Sequence, residues 1–261
     1  MKVNFYPPSV QASGNFNFGE ILEKKPIGFP QDGGLLKPFS NLFYWAHAWT
    51  PGKRSTIGLH PHQGFEICTF VLKGSINHYD TQLNKWIRLD EGDVQIIRSG
   101  NGISHSEEIL EKSEIFQIWF DPDLSKSLKK PASYNDYKHD KFKFSKFENY
   151  SIKHIQNKNS KMWMDSEDIV INEYFIDKSS SLDIKIESDK IHSFFLHEGA
   201  VSLKEFNFKK GDFFTISDTK NILLKSQKAS KLFEISSPIK PSYKTYFNSV
   251  SYTHLRAHET S

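Results

Sequence analysis

The chain is 261 residues long, 37% hydrophobic, 25% charged and 14% aromatic, with a formal net charge of +3. Such a composition fills a core and excludes wholesale disorder. So small a charge, with the lysines scattered along the chain, gives no footing for nucleic-acid binding. A single cysteine, Cys68, excludes an intrachain disulfide. No apolar run approaches the roughly 20 residues of a membrane-spanning helix, and residues 1–8 lack the apolar core of a signal peptide. The cytoplasm is therefore the expected location, with no membrane association.

Residues 1–41 are rich in Pro, Gly and Asn and read as short strands and loops, punctuated around Gly28, Pro30, Gly33 and Gly34. Residues 41–49 are aromatic and apolar and end at Pro51 and Gly52, which predicts a strand and a turn. Residues 65–72 predict a strand buried on both faces, with Cys68 as a small buried hydrophobe instead of a nucleophile. Lys73 and Gly74 make a tight turn and residues 75–80 return. Residues 86–89, 94–97 and 114–120 complete a run of short strands, with a turn at 91–93 and bends at Gly100 and Gly102. Many short strands with glycine turns point to an all-β sandwich or barrel.

Residues 121–149 are polar and lysine-rich and read as a linker with one helical turn near 124–129. Strand patterns resume at 168–176 and 181–186, the second alternating cleanly. The first half then repeats. Residues 70–76 are echoed by 195–201, and Gly92-Asp93 by Gly211-Asp212, each pair followed by four mostly apolar residues. A duplicated β unit is the economical reading, with domains at 1–135 and 136–248. The copy has no His-x-His before Phe195 and no His or Glu after Gly211-Asp212 at the corresponding spot, so it is expected to be a metal-free structural partner. Residues 249–261 resemble a translated sequencing adapter and are set aside as a non-native tail. Their His254 and His258 would otherwise imitate a zinc pair.

The chemistry concentrates between His60 and Glu107. His60 and His62 are two apart, as are His105 and Glu107. On a strand, residues i and i+2 share a face. If the two strands are neighbours, three imidazoles and one carboxylate converge on one point. That donor set suits Fe(II) first, with Mn, Ni, Co, Cu or Zn also accommodated. Structural zinc would prefer cysteines, and there is no second one. Four ligands leave an octahedral ion two open positions, and site plus ion carry about one positive charge, which favours an anionic enolate or phenolate. Glu66 reads as a fifth ligand or, in preference, as a residue supporting the ligands or the fold. His78, Asp80, His154, His192 and His197 read as ordinary polar positions.

The segments 60–66, 92–95 and 100–107 resemble the pirin family of the cupin superfamily. The resemblance implies a bicupin, two face-to-face jelly-roll-like β-barrels with metal only in the first. It places the metal ligands on His60, His62, His105 and Glu107, and Gln63 stands where the family usually has Arg. It also implies two kinds of function. One is a metal-dependent dioxygenase that opens the ring of a flavonol such as quercetin with O2, Glu107 accepting the substrate's hydroxyl proton. The other is a redox-responsive metal-binding regulator that acts through a protein partner. A cupin acting on another small enolisable molecule is the third reading.

Overall fold

Side-chain alternation along the strand Ser55–His62, and continuous burial along Glu66–Lys73, already separate the two kinds of sheet from which this chain is built. A computed structural model describes residues 1–246 and is all-β apart from short helical turns. The expected tail at 249–261 lies outside the described residues. Two compact units emerge, and neither is one continuous stretch. Among the described residues, one comprises 11–140, 164–167 and 240–246; the other comprises 1–10, 141–163 and 168–239.

In the first unit a seven-stranded sheet runs in the order Ser133–Tyr137, Val94–Arg98, Glu66–Lys73, Glu114–Phe120, Leu42–Trp49, Ile21–Ile27, Ala12–Phe16. A four-stranded sheet has the order Ser55–His62, Ile103–Ile109, Ser75–Asp80, Trp86–Asp90. Every pairing is antiparallel. Ile21, Ala48, Val71 and Ile115 from the larger sheet meet Ile76, Leu89 and Ile109 from the smaller one in a single core cluster. Burial of these apolar side chains is the main force closing the two layers. Cys68 is fully buried on the central strand, and burial pushes its thiol well above the usual range.

The second unit repeats this plan strand for strand. Its seven-stranded order is Lys2–Tyr6, Phe213–Ser217, Lys190–Glu198, Ser230–Pro238, Val170–Ile176, Tyr150–Gln156, Lys143–Lys146. Its four-stranded order is Ser181–Lys185, Asn221–Ser226, Ala200–Leu203, Phe206–Lys209. The strand equivalent to Ser55–His62 is therefore Ser181–Lys185. Its buried cross-strand pairs are Leu182 with Leu224 and Ile184 with Ile222, inside a core that also holds Phe194, Phe208 and Phe214. In both units the sheets stay open and jelly-roll-like instead of closing into barrels.

Two placements differ from the sequence reading for physical reasons. The segment 121–149 carries the expected helical turn at Leu124–Ser127, but it also supplies the edge strands Ser133–Tyr137 and Lys143–Lys146. An edge strand needs apolar contact on few positions, so polar composition hides it. The first strand, Lys2–Tyr6, pairs with Phe213–Ser217 from the far end of the chain. It completes the edge that Ser133–Tyr137 completes in the other unit, and nothing local to residues 1–10 signals a partner two hundred residues away.

Candidate metal centre

The strands Ser55–His62 and Ile103–Ile109 are antiparallel neighbours, with His105 opposite His60 and Ile103 opposite His62. The register shifts between His105 and Glu107, where Ile57 and His60 flank one residue more than the partner strand does. Such a bulge re-aims side chains locally. The return between the layers is set by glycine. Gly100 has φ +49°, and a Cβ there would stand 2.5 Å from the Lys130 carbonyl oxygen. Its own carbonyl accepts the Gly64 N–H at 2.9 Å, which ties the two ligand-bearing segments together.

His60, His62 and His105 each bring one ring nitrogen to within 4.8 Å of the other two. His105 is fully buried, whereas His60 and His62 are partly buried. The Nε2 atoms of His62 and His105 stand 3.0 Å apart. Two nitrogens bonded to one ion at about 2.1 Å would be about 3.0 Å apart at a right angle and about 3.4 Å apart at a tetrahedral angle. The observed spacing is that of two ligands able to share one ion. At 2.8 Å, His60 Nδ1 faces the Gly58 carbonyl oxygen, which can only accept. Nδ1 therefore carries the proton and Nε2 keeps its lone pair, as a ligand needs.

Burial lowers the pKa of His62 to about 3, aided by the neighbouring imidazoles of His105 and His60. Burial also pulls His105 well below the usual range, with His60 and His78 adding to the effect. Both rings are neutral at pH 7, the state that binds metal.

Glu107 is fully buried. Its Oε1 accepts the Thr69 hydroxyl at 3.0 Å, and its Oε2 accepts the side-chain N–H of Gln117. The Gln117 Oε1 in turn accepts Trp119 Nε1–H at 3.2 Å. Thr69 and Gln117 come from the seven-stranded sheet, so these bonds pin the carboxylate between the layers. Trp119 also stacks on Phe65 at 4.9 Å, and both rings lie against His62, at 5.1 and 5.4 Å. Glu107 groups with His105 and His78 in a second triad of the same 4.8 Å span. The four residues predicted from spacing thus fall into two overlapping groups that share His105.

Sequence reasoning leaves His78 and Asp80 as ordinary polar positions, yet both are fully buried beside this centre. Their spacing, i and i+2 on the strand Ser75–Asp80, is the same signal that marks His60 and His62. Burial raises the Asp80 pKa, but hydrogen bonds from His78, Leu83 and Gln82 outweigh it and leave the carboxyl below its usual value. Thr69 and Gln117 carry no sequence signal. Glu66 serves the fold: it accepts the backbone N–H groups of Asp165 and Ser166 at 2.8 and 2.9 Å and the Ser166 hydroxyl. Arg98 lies 3.9 Å away.

An open cavity of about 520 Å³ borders the centre, lined by Pro61, His62, Gln63, Thr81, Asn101 and Ser104 among others. Gln63 spans its rim and donates from Nε2 to the Asn101 carbonyl at 3.1 Å. No helix among the described residues is long and apolar enough to cross a membrane.

The Pirin family model matches residues 22–120. Two curated relatives align over shorter stretches. A pirin-like protein of Caulobacter vibrioides is 48% identical over 65 residues, 24% of this chain and 28% of its own length. Quercetin 2,3-dioxygenase of Escherichia coli is 41% identical over 69 residues, 25% of this chain and 29% of its own length. The alignments thus span less than a third of either relative. The fold match is broader. A crystal structure of the bacterial pirin YhhW from Escherichia coli, in complex with nickel(II), superimposes with a TM-score of 0.75. It covers 91% of this chain and 99% of that one at 19% identity.

Proposed function

We propose that this chain, which the Pirin family model matches over residues 22–120, is a metal-dependent oxygenase. The substrate class proposed is a flavonol of the quercetin type, cleaved with O2. The observation that carries the reading is the convergence of the three imidazoles of His60, His62 and His105 beside an open cavity, with the Glu107 carboxylate fixed behind them. His60, His62, His105 and Glu107 would hold a divalent ion, with Fe(II) as the proposed native metal. Such an ion supplies a Lewis acid for a chelating hydroxyl and carbonyl pair and redox chemistry toward O2. The Leu and Ile pairs of the corresponding strands in the second unit favour a structural role for that unit.

The chain's own residues do the rest. His62 stands at the cavity wall, and its neutral ring leaves the substrate's anionic oxygen without a competing proton. Glu107 accepts the proton of the flavonol hydroxyl, and Thr69 and Gln117 keep its two oxygens aimed. Phe65 and Trp119 form an apolar wall against His62 that keeps water from one side of the centre.

The test is the metal-loaded protein with quercetin under air, following loss of flavonol absorbance and release of carbon monoxide. Turnover that disappears in His105→Ala supports the reading. Equal turnover in wild type and His105→Ala defeats it. Metal binding with no turnover on flavonols or other enolisable substrates would move the assignment to the regulatory reading.

A further inference from the structure

Beside His105, on the neighbouring strand, lies a buried pair that the oxygenase reading does not use. The strand Ser75–Asp80 neighbours Ile103–Ile109, with His78 opposite Glu107 and Asp80 opposite His105. His78, Asp80 and His105 are all fully buried. His78 Nε2 is 3.0 Å from Asp80 Oδ2. The other Asp80 oxygen accepts the backbone N–H groups of Gln82 and Leu83, both at 2.8 Å, so the carboxylate cannot swing away. Tyr134 stacks on the His78 ring, centroids 5.0 Å apart and planes 13° from parallel, which fixes the ring's tilt.

An ionised carboxylate only accepts, so His78 carries its proton on Nε2 and keeps a lone pair on Nδ1. That Nδ1 is buried with no hydrogen-bond partner, and so is Nδ1 of His105. His105 offers Nε2 to the centre, since that atom faces His62. A neutral imidazole that ligates through Nε2 must carry its proton on Nδ1. A buried N–H and a buried lone pair thus sit on neighbouring rings with centroids 5.6 Å apart and ring nitrogens within 4.8 Å. Each orphan is costly alone, and each supplies what the other lacks.

We infer that His78, oriented by Asp80, is the acceptor for Nδ1–H of His105, directly or through one water, and holds His105 in its ligating tautomer. His78 and Asp80 are positioning residues: they reach the ion through His105. The inference rests on the metal reading above. The competing use of the same side chains is a second ion held by His78, His105 and Glu107. That arrangement would strip the last proton from His105 and would call on the Glu107 carboxylate that the first ion already uses.

The test titrates the full chain with Ni(II) and counts bound ions in wild type, His78→Phe, His78→Gln, Asp80→Asn and His105→Ala. Wild type should bind one ion. His78→Phe should bind one ion about 10- to 100-fold more weakly, the usual effect of losing a partner behind a metal-bound histidine. His78→Gln should recover part of that loss, because its carbonyl accepts. Asp80→Asn should weaken binding at least as much as His78→Phe. Its amide donates to Nε2, drives the His78 proton to Nδ1, and sets two donors face to face. Nitrogen-15 spectra of the Zn(II)-loaded wild type need no variant to fold, and should report Nε2–H on His78 and Nδ1–H on His105. Wild-type affinity in His78→Phe and Asp80→Asn, or a proton on His78 Nδ1, overturns the inference. So do two ions in wild type that fall to one in His78→Phe. Indifference of binding to His105→Ala sinks the metal reading itself, a distinct failure.

Discussion

Replacing Gln117 by leucine isolates what holds the carboxylate. Glu107 has no solvent exposure, and its two side-chain donors are Thr69 and Gln117. Gln117→Leu keeps the volume and removes one donor, leaving a buried carboxylate oxygen unsatisfied. Stranding such a group costs about 1–3 kcal/mol, more when it is charged. The same change frees the carboxylate to rotate, which should weaken metal binding about 10- to 100-fold, or about 1.4–2.8 kcal/mol. Thr69→Val should cost a similar amount. The double variant should depart from additivity, because both donors serve one carboxylate. Urea unfolding of chelator-treated protein gives the first quantity, and Ni(II) calorimetry gives the second. Gln117→Leu indistinguishable from wild type in both measurements would refute the account of Glu107.

Acid should destabilise the metal-free protein through its buried imidazoles. The folded state holds His62 at about 3 against an ordinary value of 6.5, so between those limits the unfolded chain binds more protons. Stability should be level above about pH 6.5 and fall as pH drops toward 3. The urea midpoint of wild type should fall relative to that of His62→Phe with acidification, and a pH-independent difference would argue against a buried neutral His62. At the layer return, Gly100→Ala forces a side chain into positive φ against the Lys130 carbonyl and should cost more than about 1 kcal/mol. Gly52→Ala, with nothing within 4 Å, should leave the thermal midpoint unchanged.

Most strands were legible because period and burial coincide in them. The strands Ser75–Asp80 and Glu114–Phe120 begin and end where alternation and glycine turns place them. His60, His62, His105 and Glu107 were legible for the same reason: equal two-residue steps put donors on one face. That the two strands are neighbours was not, since pairing depends on topology and not on either segment alone. His78 and Asp80 carried the same two-residue step but only one imidazole, which is too weak a pattern to read without the strand beside them. Thr69 and Gln117 act across the gap between sheets, a distance no local pattern encodes. The first strand was misleading by position. Residues 2–6 complete the second unit's sheet, and only the pairing with Phe213–Ser217 reveals it.

Elemental analysis of the protein after loading and desalting bears on the centre most directly. One divalent ion per chain is expected in wild type and in His154→Ala, whose ring bonds Ser145 and Asn172 within the second unit, and none in His105→Ala. An ion content that survives His105→Ala, or a wild type that retains no ion, would contradict the assignment.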